Sequence, residues 1–228
     1  MMRSLSSALV LLVLLFVSIS AHANSGELLS FQGIQDMQAV GNFYNGAGIS
    51  ITPNYGISFS SNFFGLRSVF NGGSGNFSAT PVGNPAIFIS NGSGPNGAIV
   101  MGTMNVAPGF SNGLNFFYTA GFATNQAETI TVWSGANGTG TVLATMTLSN
   151  NNSACSAPLY CNWSNAGLSF SGTAHSVTFS GPANELGLAD LTVGSSTSAV
   201  PEPGTMYLFG SGLLAISLGS VRRYFRLG

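Results

Sequence analysis

The chain has 228 residues, a formal net charge of −1 and only 5% charged side chains, far below the usual quarter. Between residues 24 and 200 it holds no lysine and a single cation, Arg67, against Glu27, Asp36, Glu128, Glu185 and Asp190. Nucleic acids need several phosphate-neutralising cations, so that class of partner is excluded, and solubility must rest on Asn, Ser, Thr and Gly.

At the N-terminus, Arg3 precedes a run from Leu9 to Ile19 that is apolar apart from Ser18, followed by Ala21-His22-Ala23. A short positive region, an apolar core and small residues at the two cleavage-determining positions, Ala21 and Ala23, make residues 1–23 a signal peptide. Its partners are signal peptidase and, with no twin arginine present, the general secretion machinery. The mature chain then begins at Asn24, and His22 is lost with the peptide.

Residues 24–194 form the exported body. Apolar residues alternate with polar ones at the period of a strand in Tyr55–Ser60, Ala86–Ser90, Ala98–Val106 and Leu114–Phe122. Glu128–Trp133 and Thr141–Leu148 flank Ser134–Gly140, where Asn137-Gly138 favours a hairpin turn with positive φ. Leu168–Ser171, Ser176–Ser180 and Leu186–Val193 follow. A short turn is expected near Ile34–Met37, and no amphipathic helix of normal length is visible. The expected fold class is all-β, a β-sandwich of jelly-roll type. Residues 195–200, rich in serine, read as a flexible linker.

Within the body, Cys155 and Cys161 are separated by five residues with no His or acid nearby. In an oxidising compartment this spacing points to a disulfide that pins a surface loop, and the missing ligands argue against a metal site. Tyr44, Tyr55, Tyr118, Tyr160, Trp133 and Trp163 are candidates for stacking on sugar rings, because Tyr and Trp join a large apolar face to a polar tip. Sandwich cores also use aromatics. Trp163 and Tyr160, beside Cys161 in an Asn-rich loop, are the candidate glycan contacts, whereas Trp133 closes a strand and is expected to pack at a core or edge.

Catalytic patterns are weak. His175 has no Gly-x-Ser-x-Gly elbow with it and reads as an exposed residue at a strand start. Glycoside hydrolysis needs two carboxyl groups facing each other, and the five acids of the body are scattered without a pairing context. No enzyme is expected.

The chain closes with Val200-Pro201-Glu202-Pro203, an uncharged apolar stretch Gly204–Val221, and Arg222, Arg223 and Arg226. As an α-helix, residues 204–221 rise about 27 Å, near the roughly 30 Å of a hydrocarbon core. Arginines beyond such a helix stay cytoplasmic. Prolines hold residues 200–203 extended and open to a protease. Residues 201–228 resemble the PEP-CTERM sorting signal of Gram-negative bacteria, which exosortases recognise and cut near Pro-Glu-Pro. The resemblance implies an exosortase as partner and delivery to the cell surface or extracellular matrix. A permanent single-pass anchor is the alternative.

The body also resembles a group of PEP-CTERM surface proteins, through Phe31-Gln-Gly33, Gly41–Gly46, Tyr55–Asn62, Ser74–Phe77, the Trp133–Thr145 hairpin and Leu186–Gly194. In that group the last strand carries an Asp-Asn pair, and in many carbohydrate-binding jelly rolls the acid ligates calcium. Here those positions are Ala189 and Asp190. Asp190, with Glu27 and Asp36, is the candidate for calcium; the bland reading is a hydrogen-bonded residue at a strand end. No other cofactor is expected. The function expected is a non-catalytic structural or adhesive component, with a carbohydrate-binding module contacting exopolysaccharide as the alternative.

Overall fold

The computed structural model describes residues 26–46, 53–92, 98–121, 127–156 and 158–197. The signal peptide with Ala21 and Ala23, the sorting motif 200–203, the apolar stretch 204–221 and Arg222, Arg223 and Arg226 lie outside them. Among the described residues no helix is long and apolar enough to cross a membrane.

The described residues form nine strands: β1 (Glu27–Leu29), β2 (Ile57–Phe59), β3 (Phe63–Leu66), β4 (Ala86–Ile89), β5 (Ile99–Ala120), β6 (Glu128–Trp133), β7 (Val142–Leu148), β8 (Ser164–Pro182) and β9 (Leu186–Val193). These strands pair antiparallel throughout, in the order β3-β4-β9-β5-β8-β6-β7, with β1 beside β9 and β2 beside β5. The fold is all-β.

Two strands are longer than the alternation predicts. Ala98–Val106 and Leu114–Phe122 merge into β5, and Leu168–Ser171 and Ser176–Ser180 merge into β8. The ladder between these two strands shifts register between Asn105 and Phe110 and again before Asn112. Pro108, which has no N–H to donate, sits at this corner beside Gly109 at φ 75°. The halves of β5 and β8 thereby join different partners. The first half of β5 lies with β2, the second half of β8, β6 and β7; its second half lies with β9, β4 and β3.

Aromatic rings fill the space between these two layers. Tyr44, Phe31, Phe59, Phe63, Phe179 and Phe116 follow one another edge to face at centroid distances of 5.7, 6.1, 5.2, 5.7 and 6.3 Å. Each such pair contributes about 0.5–1.5 kcal/mol beyond its buried area. Gly102 on β5 makes room for this stack, since a Cβ there would overlap the Phe63 ring and Ile89.

The predicted hairpin is present between β6 and β7, with Asn137 at φ 57° and Gly138 at φ 67°. Its loop folds back over the sheet: Asn105 Nδ2 donates to Asn137 Oδ1 at 2.8 Å, and Gly138 N donates to Ser176 Oγ at 3.0 Å. The β6–β7 ladder shifts register between Val132 and Trp133, and Val142, opposite Trp133, is exposed. The linker expected from residue 195 is held at its start, where Asn115 Nδ2 donates to Ser196 O at 3.2 Å.

Candidate functional site

Two segments far apart in sequence lie side by side at one end of the sheet. Ser78 N donates to Tyr160 O at 2.9 Å and Tyr160 N to Asn76 O at 3.2 Å; Ser78 Oγ donates to Cys161 O at 3.0 Å. Phe77 and Tyr160 thereby form a parallel bridge. The Trp163 indole stands edge-on to Phe77 at 5.6 Å, and its Nε1 donates to Ser78 O at 3.4 Å.

The loop that carries Tyr160 is fixed from both sides. The disulfide joins Cys155 and Cys161 with their Cα atoms 5.7 Å apart. Beneath it, the fully buried Asn152 donates to Thr119 Oγ1 at 2.8 Å and Ala120 O at 3.1 Å, and accepts from Asn162 N at 2.9 Å. With Asn151, which donates to Tyr118 O at 3.2 Å and accepts from Ala120 N at 3.0 Å, it rivets the loop to β5. The Tyr160 hydroxyl then reaches across to donate to Glu185 Oε2 at 2.7 Å.

These residues line a cleft of about 200 Å3, walled by Phe77, Phe88, Tyr160 and Trp163, with Asn76, Thr119, Asn184 and Glu185 among its polar groups. Of the sequence candidates, the structure brings Tyr160 and Trp163 together here. The others go elsewhere. Tyr44 is buried and accepts from Phe31 N at 2.6 Å, while Tyr55 and Tyr118 pack against the core. Trp133 is half-buried, its Nε1 donating to Thr178 Oγ1 at 2.9 Å. His175 is half-buried inside β8 and does not begin a strand.

Phe77, Phe88 and Glu185 were not foreseen. Phe77 follows a glycine-rich stretch, and nothing local marks its pairing with Tyr160, 83 residues away.

The acids are less scattered than the sequence suggests. Glu128 is 3% exposed with Oε2 unpartnered, and burial, assisted by the charge of Glu185, raises its carboxyl to about 8. It packs on Gly181, where a Cβ would overlap its carboxylate. Burial also raises the Tyr160 phenol, with the bond to Glu185 adding to the effect. At neutral pH Glu128 thus keeps its proton. Glu185 lines the cleft and Glu128 does not.

Asp190 lies inside β9, not at a strand end. Its φ is 50°, next to a register shift between β5 and β9, so simple alternation does not set its side-chain direction. Asn84 Nδ2 donates to its Oδ1 at 3.1 Å; Oδ2 is buried without a partner, and burial raises the carboxyl against that hydrogen bond. The acids expected to join it in holding calcium do not gather there. Asp36 accepts from Arg67 N at 2.8 Å and Ser74 N at 3.0 Å, and Glu27 interacts with Tyr55. Among the described residues no three of His, Cys, Asp and Glu converge to hold a metal ion. One free oxygen falls well short of the six to eight that calcium takes.

The model of one protein family, described as the PEP-CTERM protein-sorting motif, matches residues 199–223. The chain carries a PEP-CTERM sorting motif. PEP-CTERM marks an exported, surface-sorted protein. No curated protein matches the chain. Among solved structures, CsCBM6-3 from Clostridium stercorarium in complex with cellobiose is similar at 13% identity and a TM-score of 0.37, over 75% of this chain and 95% of that one. The K1 cleaved adhesin domain of Lys-gingipain from Porphyromonas gingivalis W83 is similar at 13% identity and a TM-score of 0.41, over 75% and 100% of the two chains.

Proposed function

We propose that this is a surface or extracellular-matrix protein whose body adheres to exopolysaccharide through the Phe77–Tyr160–Trp163 cleft, without catalysis. The convergence of Trp163, Tyr160 and Phe77 with Asn76, Asn184 and Glu185 carries this reading. Aromatic walls cover the C–H face of a pyranose, and the amides and the carboxylate meet its hydroxyls. A volume of about 200 Å3 is below the roughly 300 Å3 at which drug-sized sites begin, so the cleft suits one sugar unit of a chain lying across it. Adhesion would come from many weak contacts along a polymer.

The acid arrangement favours binding over hydrolysis. A glycosidase places two carboxyl groups on either side of the scissile bond. Of the acids among the described residues only Glu185 lines the cleft, and it is engaged by Tyr160.

Delivery follows from the sorting motif. Signal peptidase removes residues 1–23, residues 204–221 span the membrane with Arg222, Arg223 and Arg226 inside, and an exosortase cuts near Pro201-Glu202-Pro203. Glycan-array binding by the full-length protein, lost in Trp163→Ala at unchanged fold, tests the binding; an unaffected array pattern overturns it. Immunoblots of Glu202→Gln test the processing, with uncleaved membrane-held precursor as the expected result and normal maturation as the contrary one.

A further inference from the structure

Phe77 is a wall shared by two adjoining depressions. On its other side lies a second, polar pocket of about 400 Å3, lined by Ser68, Asn71, Thr80, Asn84 and Arg67. Arg67 is the one cation between residues 24 and 200. A protein that places its only exported positive charge on the rim of a polar pocket, next to an aromatic cleft, has a built asymmetry of charge along the groove.

The Arg67 guanidinium is not held by a salt bridge among the described residues, and the side chain is exposed. Asp36, the acid beside it, has both carboxylate oxygens engaged by backbone donors, Arg67 N and Ser74 N. Asp36 therefore fixes the backbone from which Arg67 projects and leaves the guanidinium to solvent or ligand. Arg67 O accepts from Gly75 N at 2.8 Å, which ties the same residue to the segment that leads into Phe77. On the opposite wall, Asn84 is held by Asp190, and its backbone carbonyl accepts from Thr80 Oγ1 at 2.6 Å. The pocket is framed by hydrogen bonds on both sides, and its free donor of charge is the guanidinium.

We infer that the polysaccharide is acidic: a sugar stacked in the aromatic cleft is followed, across Phe77, by a uronate whose carboxylate pairs with Arg67. This rests on the cleft being a glycan site and adds the ligand's chemical class. A guanidinium matches a carboxylate with two parallel hydrogen bonds, and the flanking Ser, Asn and Thr groups suit the hydroxyls of the same sugar.

The test compares oligogalacturonate with the same oligosaccharide after carboxyl reduction, measuring affinity of the full-length protein in detergent by calorimetry. The acidic ligand should bind about five-fold more tightly, the upper end of what an exposed ion pair supplies. That preference should vanish in Arg67→Gln, persist in Arg67→Lys, and shrink as salt is raised. Trp163→Ala should weaken both ligands alike. Equal affinity for the two ligands, or a preference that survives Arg67→Gln, overturns the acidic ligand while leaving the cleft as a glycan site. Binding of neither ligand overturns both readings.

Discussion

The Tyr160 hydroxyl donates to Glu185 Oε2 at 2.7 Å and so ties the disulfide loop to the turn between β8 and β9. Both residues line the cleft, and the bond joins segments that secondary structure alone would leave independent. Tyr160→Phe keeps the ring and removes the clamp. The variant should lose about 1.5–3 kcal/mol of stability, the range for a hydrogen bond to a charged group, and bind glycan more weakly. Chemical denaturation and calorimetry check the two effects; unchanged values in both would show the bond to be incidental.

The disulfide should matter for binding as well as for folding. Its ring is short, so the chain-entropy contribution is about 2 kcal/mol. The core stack from Tyr44 to Phe116 does not pass through it. Cys155→Ser with Cys161→Ser should therefore leave a folded protein whose Tyr160 and Trp163 are no longer held against residues 76–78. Circular dichroism should show a retained β spectrum while glycan affinity falls by about ten-fold, equivalent to about 1.4 kcal/mol.

How far the sequence could be read depends on how local each signal is. The alternation in Glu128–Trp133 and Leu186–Val193 gives both strands with the bounds observed. β1 and β3 escape notice because they span only three and four residues, and Phe63-Phe64-Gly65-Leu66 does not alternate clearly. β5 and β8 are broken in the reading because Pro108-Gly109 and Gly172 look like turns, whereas they are bends within continuous strands. Tyr160 and Trp163 could be singled out from their loop. Their partners could not, since Asn76-Phe77-Ser78 and Glu185 meet them only through the tertiary fold.

A second internal bond is open to a stability test. Phe31 adopts φ 55°, a left-handed conformation unusual for a bulky residue, and its buried N–H is met by the Tyr44 hydroxyl at 2.6 Å. Burial raises the Tyr44 phenol far above its ordinary value, so it stays protonated at any working pH. Tyr44→Phe leaves the Phe31 N–H unpaired. A loss of about 1–3 kcal/mol is expected, which in a body of this size lowers Tm by several degrees at about 2–4 °C per kcal/mol. An unchanged melting curve would show that Phe31 holds its conformation through packing alone.

Glu128 makes stability depend on pH in an uncommon direction. Its carboxyl keeps its proton up to about 8 in the folded protein, against 4.5 when free. Between these values the folded state binds more protons at this site than the unfolded state, so stability from this group is full below 4.5 and falls as pH rises. The loss is about 1.4 kcal/mol per pH unit and levels off above about 8. Asp190, also raised by burial, adds a slope of the same sign. Glu128→Gln removes the ionisable group, so its stability relative to wild type should climb steadily from acid to mildly alkaline pH. Gly181→Ala, which drives a methyl group into the space of the Glu128 carboxylate, should destabilise at every pH. Urea denaturation of the three proteins across that range decides the matter, and parallel curves for wild type and Glu128→Gln would rule out the buried proton.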